Sequence, residues 1–126
     1  MIDITKVPFN QLLGISLSKD TDFLLQLDNR KEYTNHLDTV HAAALFALAE
    51  GSGAQLLLKA FPEVIIDNVI PVLRKVDVSY KKPATGVIKS KAILKNDTIE
   101  HIILVLLSKK RVLIITMVEF FDEQKV

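Results

Sequence analysis

Residues 40–58 constrain this chain more than any other stretch. Residues 40–49 are apolar apart from His41, and the next polar side chains are Glu50, Ser52, Gln55 and Lys59. A helix that is apolar nearly all round must be buried. Such a helix is expected to start near Thr39, with Thr39 as N-cap and Asp38 as an alternative, and to end at Lys59 or Ala60, just before Pro62. At about 100° per residue, Ser52, Gln55 and Lys59 share one side with His41, which predicts the wetter face. Glu50 projects the other way, towards Ala43, Phe46, Ala47, Gly53, Ala54 and Leu57. Burying an unpaired carboxylate is costly, and a carboxylate held in a cleft is a candidate general base. The alternative is that Glu50 marks a bend before Gly51 and reaches water.

The rest of the chain supplies what such a helix packs on. Pro8 and Gly14 bracket a short helix, and residues 15–17 and 23–27 read as two strands or one bulged strand. Beyond Pro62 the β signal takes over. Segments 69–73, 76–80, 87–94, 99–107 and 112–121 are alternating or rich in Ile, Val and Leu, with turns at 81–86, 95–97 and 108–111. That order predicts an α+β fold, an antiparallel sheet against a single long helix. One sheet face cannot cover a helix that is apolar on both sides, so the sheet should curl around it or a second copy should cover the remainder. Gly51, Gly53 and Ala54 allow close approach, which makes a homodimer the natural completion.

At 126 residues the chain reads as one domain, 1–126, with no internal repeat or linker. A net charge of +1 and the lack of a basic block interleaved with aromatics argue against nucleic acid or an anionic membrane as partner. The absence of cysteine excludes disulfides, a thiol nucleophile and thiolate metal ligation. His36, His41 and His101 lack metal-ligand spacing, and His36, Asp38 and His41 form at most a chance cluster, so no metal is expected. No apolar run reaches the roughly 18 residues of a membrane span, and the N-terminus lacks a secretion signal. These features fit a soluble, cytoplasmic protein.

Two segments carry a family resemblance. Asn35 is followed after five residues by His41, then by Ala42 and Ala43, an apolar stretch, and Glu50 nine positions past the histidine. Further on stands Val78-Ser79-Tyr80-Lys81-Lys82-Pro83-Ala84. In spacing and order these resemble the hotdog-fold acyl-CoA thioesterases, and within them the phenylacetyl-CoA (PaaI-like) branch. The resemblance implies a hotdog fold, with the antiparallel sheet wrapped around one long central helix. It also implies hydrolysis of an acyl-CoA thioester at two equivalent sites across a homodimer interface, in a dimer or a dimer of dimers, with coenzyme A as part of the substrate and no other cofactor. The chain departs from the pattern in two places: Ala42-Ala43 stands where the family has Gly-Gly, and Glu50 where the branch commonly has Asp. The hotdog dehydratases fit less well, since Asp38 and His41 are two residues closer than their Asp-x-x-x-x-His.

Spacing alone sets the geometry of such a site. Nine helical residues rise by about 13 Å, so His41 and Glu50 of one chain cannot meet at one reacting atom. A site using both takes the helix start from one subunit and Glu50 from its partner. On the resemblance, the Ala42 or Ala43 N–H would receive the thioester oxygen, Asn35 or His41 would orient the carbonyl or the water, and Glu50 would act as general base or nucleophile. Phe46 and Leu57 would line the acyl pocket, and Lys81 and Lys82 would meet the coenzyme A phosphates. Plainer roles stay open: His41 as a structural partner of the helix start, Asn35 as a loop closure, and the two lysines as a solvated edge. The alternative function is a non-catalytic hotdog dimer that binds an acyl ligand or a protein partner.

Overall fold

The computed structural model describes residues 2–123. The first helix, α1 (Pro8–Leu13), carries Pro8 in its first turn, where a missing N–H costs nothing. It ends at Gly14, whose φ of 71° suits a residue without Cβ and lets its N–H reach the carbonyls of Asn10 and Gln11. Two short strands follow, β1 (Ser16–Leu17) and β2 (Leu25–Leu27). Next come the long helix α2 (Ala42–Ala60) and a single turn, α3 (Glu63–Ile66). The chain finishes with β3 (Ile88–Leu94), α4 (Ile99–Lys109) and β4 (Thr116–Phe121). The four strands form one sheet in the order β1-β2-β3-β4, antiparallel throughout. The register sets Leu27 opposite Ile88, and pairs β3 with β4 from Lys89↔Phe121 to Leu94↔Thr116.

The core lies between one sheet face and α2. Leu25, Leu27 and Ile88 of the sheet are fully buried with Leu48, and Ala44, Leu45 and Ala47 complete the helix side. Each fully buried Leu or Ile contributes about 1.5–3 kcal/mol. Helix and sheet approach closely at Gly51, where a Cβ would already touch Leu25 Cδ1 at 3.4 Å. Beside it, Ser52 and Ser90 form a buried polar pair. The Ser52 and Ser90 hydroxyl oxygens lie 2.6 Å apart, and Ser52 Oγ also reaches the Leu48 carbonyl at 2.6 Å. On the other sheet face Phe23 and Phe121 meet edge to face at 5.4 Å, with Lys91 Nζ 4.9 Å from the Phe23 ring.

The α+β order and the helix against an antiparallel sheet are as the sequence predicts, but five particulars differ. The face assignment of α2 holds for exposed His41 and Lys59 and for buried Ala47 but fails at two positions: Ser52 is fully buried on the sheet side and Glu50 is exposed. Small size and a hydroxyl partner make Ser52 a good seam residue, whereas hydrophilicity alone marked it as wet. The N-cap is His41 rather than Thr39. Segments 69–73 and 76–80 form no strand; the backbone there pairs with nothing regular, and every residue from 70 to 83 is exposed. Segment 99–107 is helix, begun by the Thr98 hydroxyl, which accepts the His101 N–H at 3.3 Å, and ended by Lys110 at φ 64°. Only the second half of segment 112–121 pairs as β4.

Candidate functional site at the start of helix α2

Loop 33–41 delivers the chain to α2 in a fixed geometry. The Asn35 side chain closes it: Oδ1 accepts the N–H groups of Leu37 at 2.9 Å and Thr39 at 3.2 Å, while Nδ2 donates to Thr39 Oγ1 at 2.9 Å. The Asn35 N–H donates to the Thr39 carbonyl, and Asp38 takes the left-handed conformation at φ 59° that the tight turn demands. Asn35 thus positions the loop, which is the plainer of the two roles its sequence allows. The His41 N–H donates to the Tyr33 carbonyl at 2.7 Å and the Val40 N–H to the Ala84 carbonyl at 2.8 Å. The loop is therefore tied to both Tyr33 and segment 80–84. Tyr33 is buried, with the Arg30 guanidinium over its ring at 5.6 Å, and burial pushes its phenol pKa up.

His41 Nδ1 accepts the Ala43 N–H at 2.9 Å. With Nδ1 acting as acceptor, the neutral ring carries its proton on Nε2, and that edge is a donor. The Ala43 N–H is therefore committed within the chain. The Ala42 N–H, at the first helical position, has no partner among the described residues, as expected for the first amides of a helix. His41, Ala42 and Ala43 are all exposed. The site presents one open amide and one imidazole edge at the positive end of a 19-residue helix.

Tyr80 was part of the sequence motif without a role, and the structure gives it one. Its hydroxyl donates to the Ala42 carbonyl at 3.3 Å. With Ala84 holding Val40, two anchors bracket Lys81 and Lys82, so these exposed lysines sit on a segment tied beside the helix start. Glu50 and Phe46 lie further along the outward face of α2, both exposed, one turn apart. Leu57 is two turns beyond Glu50, half-buried, and lines a hollow with Ile2 and Ile66. Asn35, His41, Ala42, Ala43 and the lysine segment thus gather at one end, whereas Glu50, Phe46 and Leu57 run away from it along the helix. Among the described residues no three His, Asp or Glu converge as a metal-binding group, and no helix is long and apolar enough to cross a membrane.

A long helix laid on an antiparallel sheet, with its outward face left open, defines a hotdog-type α+β protein. The chain belongs to the family described as Domain of unknown function (DUF4442), whose model matches residues 11–125. The 1.5 Å crystal structure of a Pseudomonas aeruginosa protein of unknown function, called a probable thioesterase, matches with a TM-score of 0.78. The match covers 98% of this chain and 82% of that one at 22% identity, a likeness of fold. No functionally curated protein matches the sequence.

Proposed function

We propose that the protein hydrolyses acyl-CoA thioesters at two equivalent sites of a homodimer, each built from the α2 start of one protomer and Glu50 of the other. The observation that carries this reading is the outward stripe of α2. It sets an exposed carboxylate beside exposed Phe46, with half-buried Gly53 and Leu57 further along the same stripe, about 12 Å along the helix from the open Ala42 amide. A second protomer that covers the stripe would bring its own helix start to that carboxylate. The name of the structural relative, a probable thioesterase, points to the same chemistry.

In this mechanism the thioester oxygen accepts the Ala42 N–H and the His41 Nε2–H, and both donors stabilise the negative charge that develops on it. Glu50 of the other protomer takes a proton from water as the water oxygen attacks the carbonyl carbon. The tetrahedral intermediate collapses with cleavage of the C–S bond, the leaving thiolate of coenzyme A takes the proton from Glu50, which returns to its carboxylate, and the free acid remains. Lys81 and Lys82 meet the phosphates of the departing nucleotide. Asn35 and Tyr80 act at one remove, holding the loop and the Ala42 peptide.

The test is a thiol-release assay across short, long and aromatic acyl-CoAs, phenylacetyl-CoA included. Turnover of at least one is expected, and Glu50→Gln should slow it by about two orders of magnitude or more. The occupied Ala43 N–H favours one competing reading, a hotdog dimer that binds an acyl ligand without cleaving it. No turnover across the panel would decide for that reading, and an unchanged rate in Glu50→Gln would remove Glu50 from the mechanism.

A further inference from the structure

An apolar cleft opens at the far end of α2, and nothing in the chemistry above uses it. Two adjoining hollows of about 40 and 430 Å³ share Ile2, Leu58, Ile66 and Pro71. The smaller adds Ala54 and Leu57 of the helix, and the larger adds Val69 and Asp67. Their combined size falls in the range of small-ligand sites. The hollows also lie in line with the carboxylate. Glu50, Ala54 and Leu57 succeed one another at i, i+4 and i+7, so one stripe of the helix runs from Glu50 into the cleft, with Leu58 at its edge.

Resting on the thioesterase reading, we propose that this cleft receives the tail of the acyl group and favours uncharged chains of medium length over short ones. Reach sets the length. Leu57 and Leu58 lie about 11 to 12 Å beyond Glu50 along the helix axis. A staggered hydrocarbon chain of about 1.5 Å bonds advances about 1.3 Å per carbon. A carbonyl attacked beside Glu50 therefore places carbons 8 to 10 in the cleft, and an acyl group of about eight to twelve carbons fills it. Shorter chains stop on the stripe before Leu57. The wall is aliphatic except for Asp67, and burying a chain that ends in a second carboxylate against these aliphatic side chains is costly.

The test pairs turnover with direct binding. Rates on butanoyl- to hexadecanoyl-CoA are expected to rise about threefold in kcat/KM per added methylene up to ten carbons and then level. The non-hydrolysable thioether S-decyl-CoA should bind at least tenfold tighter than S-butyl-CoA by calorimetry. Ile66→Trp and Val69→Trp, which fill the cleft, should each lower both the decanoyl-to-butanoyl rate ratio and the thioether preference tenfold or more. If Ile66→Trp loses its circular dichroism, Val69→Trp, which lies outside α3, decides. Absent turnover with a thioether preference that tryptophan abolishes would refute the hydrolysis and uphold the cleft. Turnover with flat chain-length dependence, or a dependence both tryptophans leave intact, would overturn the cleft and leave the hydrolysis standing.

Discussion

The burial of Ser52 fixes which way Glu50 points, and it can be tested by removing one oxygen atom. Ser52 has no exposed surface; its hydroxyl spans the Leu48 carbonyl and Ser90 Oγ, both at 2.6 Å. Ser52→Ala leaves the Leu48 carbonyl with its helical partner but takes the short contact from Ser90, whose next acceptor, the Leu25 carbonyl, is 3.4 Å away. A buried hydroxyl left poorly satisfied costs about 1–3 kcal/mol, and this residual contact puts the expectation at about 1–2 kcal/mol. For a domain of this size that lowers Tm by roughly 3–10 °C. Ser52→Ala with Ser90→Ala should cost about 1 kcal/mol less than the sum of the singles, because the two side chains touch. Urea unfolding at one fixed protein concentration measures all three variants. If Ser52 faced water, Ser52→Ala would change stability by no more than about 0.5 kcal/mol. That result, or strict additivity, would refute the seam and return Glu50 to the interior.

Three further outcomes follow. Asn35→Ala removes the acceptor for the Leu37 and Thr39 N–H groups, so it should destabilise by about 1–3 kcal/mol and lower kcat through a misplaced helix start. His41→Ala should cost about 0.5–2 kcal/mol as a lost N-cap, read by thermal unfolding. His41→Asn restores the cap but not the imidazole edge, so it should recover stability without recovering activity. A hydrogen bond with the His101 ring and another from the Thr98 N–H hold the Asp97 carboxyl below the usual aspartate range. A lowered folded-state pKa contributes stability that is present above the unfolded value of about 3.9 and is lost as pH falls through the folded value. Asp97→Asn should therefore flatten the acid limb of the stability profile below about pH 4 and leave its slope near neutrality unchanged.

The elements with strong local punctuation were legible in the sequence. Pro8 and Gly14 delimit α1, the alternation of Ile88 and Ser90 against Lys89 and Lys91 marks β3, and the long apolar run is α2. What failed was the reading of apolar runs without periodicity. Segment 99–107 is too short and too uniformly aliphatic for period alone to separate strand from helix. The available signals were at its ends: Thr98 at the cap, Glu100 in the first turn and Lys109 in the last. Segment 76–80 has the alternation of a strand, but in this chain β3 is flanked by β2 and β4, so pairing energy goes elsewhere. For the site, spacing correctly separates Glu50 from the helix start, since a helix has a fixed rise. The face that Glu50 occupies depends on tertiary partners of Ser52 that lie 38 residues away, which no local pattern encodes.

The central claim is that each site needs two protomers, and mixing two inactive variants tests it. Glu50→Gln removes the carboxylate, and Ala42→Pro removes the open amide. Proline is tolerated at the first helical position, and His41, at φ −61° and ψ 139°, already has the backbone that a following proline requires. If one protomer supplies Ala42 and the other Glu50, half of the randomly reassembled dimers are mixed and each holds one intact site, so the mixture should recover about a quarter of wild-type thioesterase activity. A mixture no more active than its two parents, once subunit exchange has been verified by mass spectrometry, would contradict the shared site.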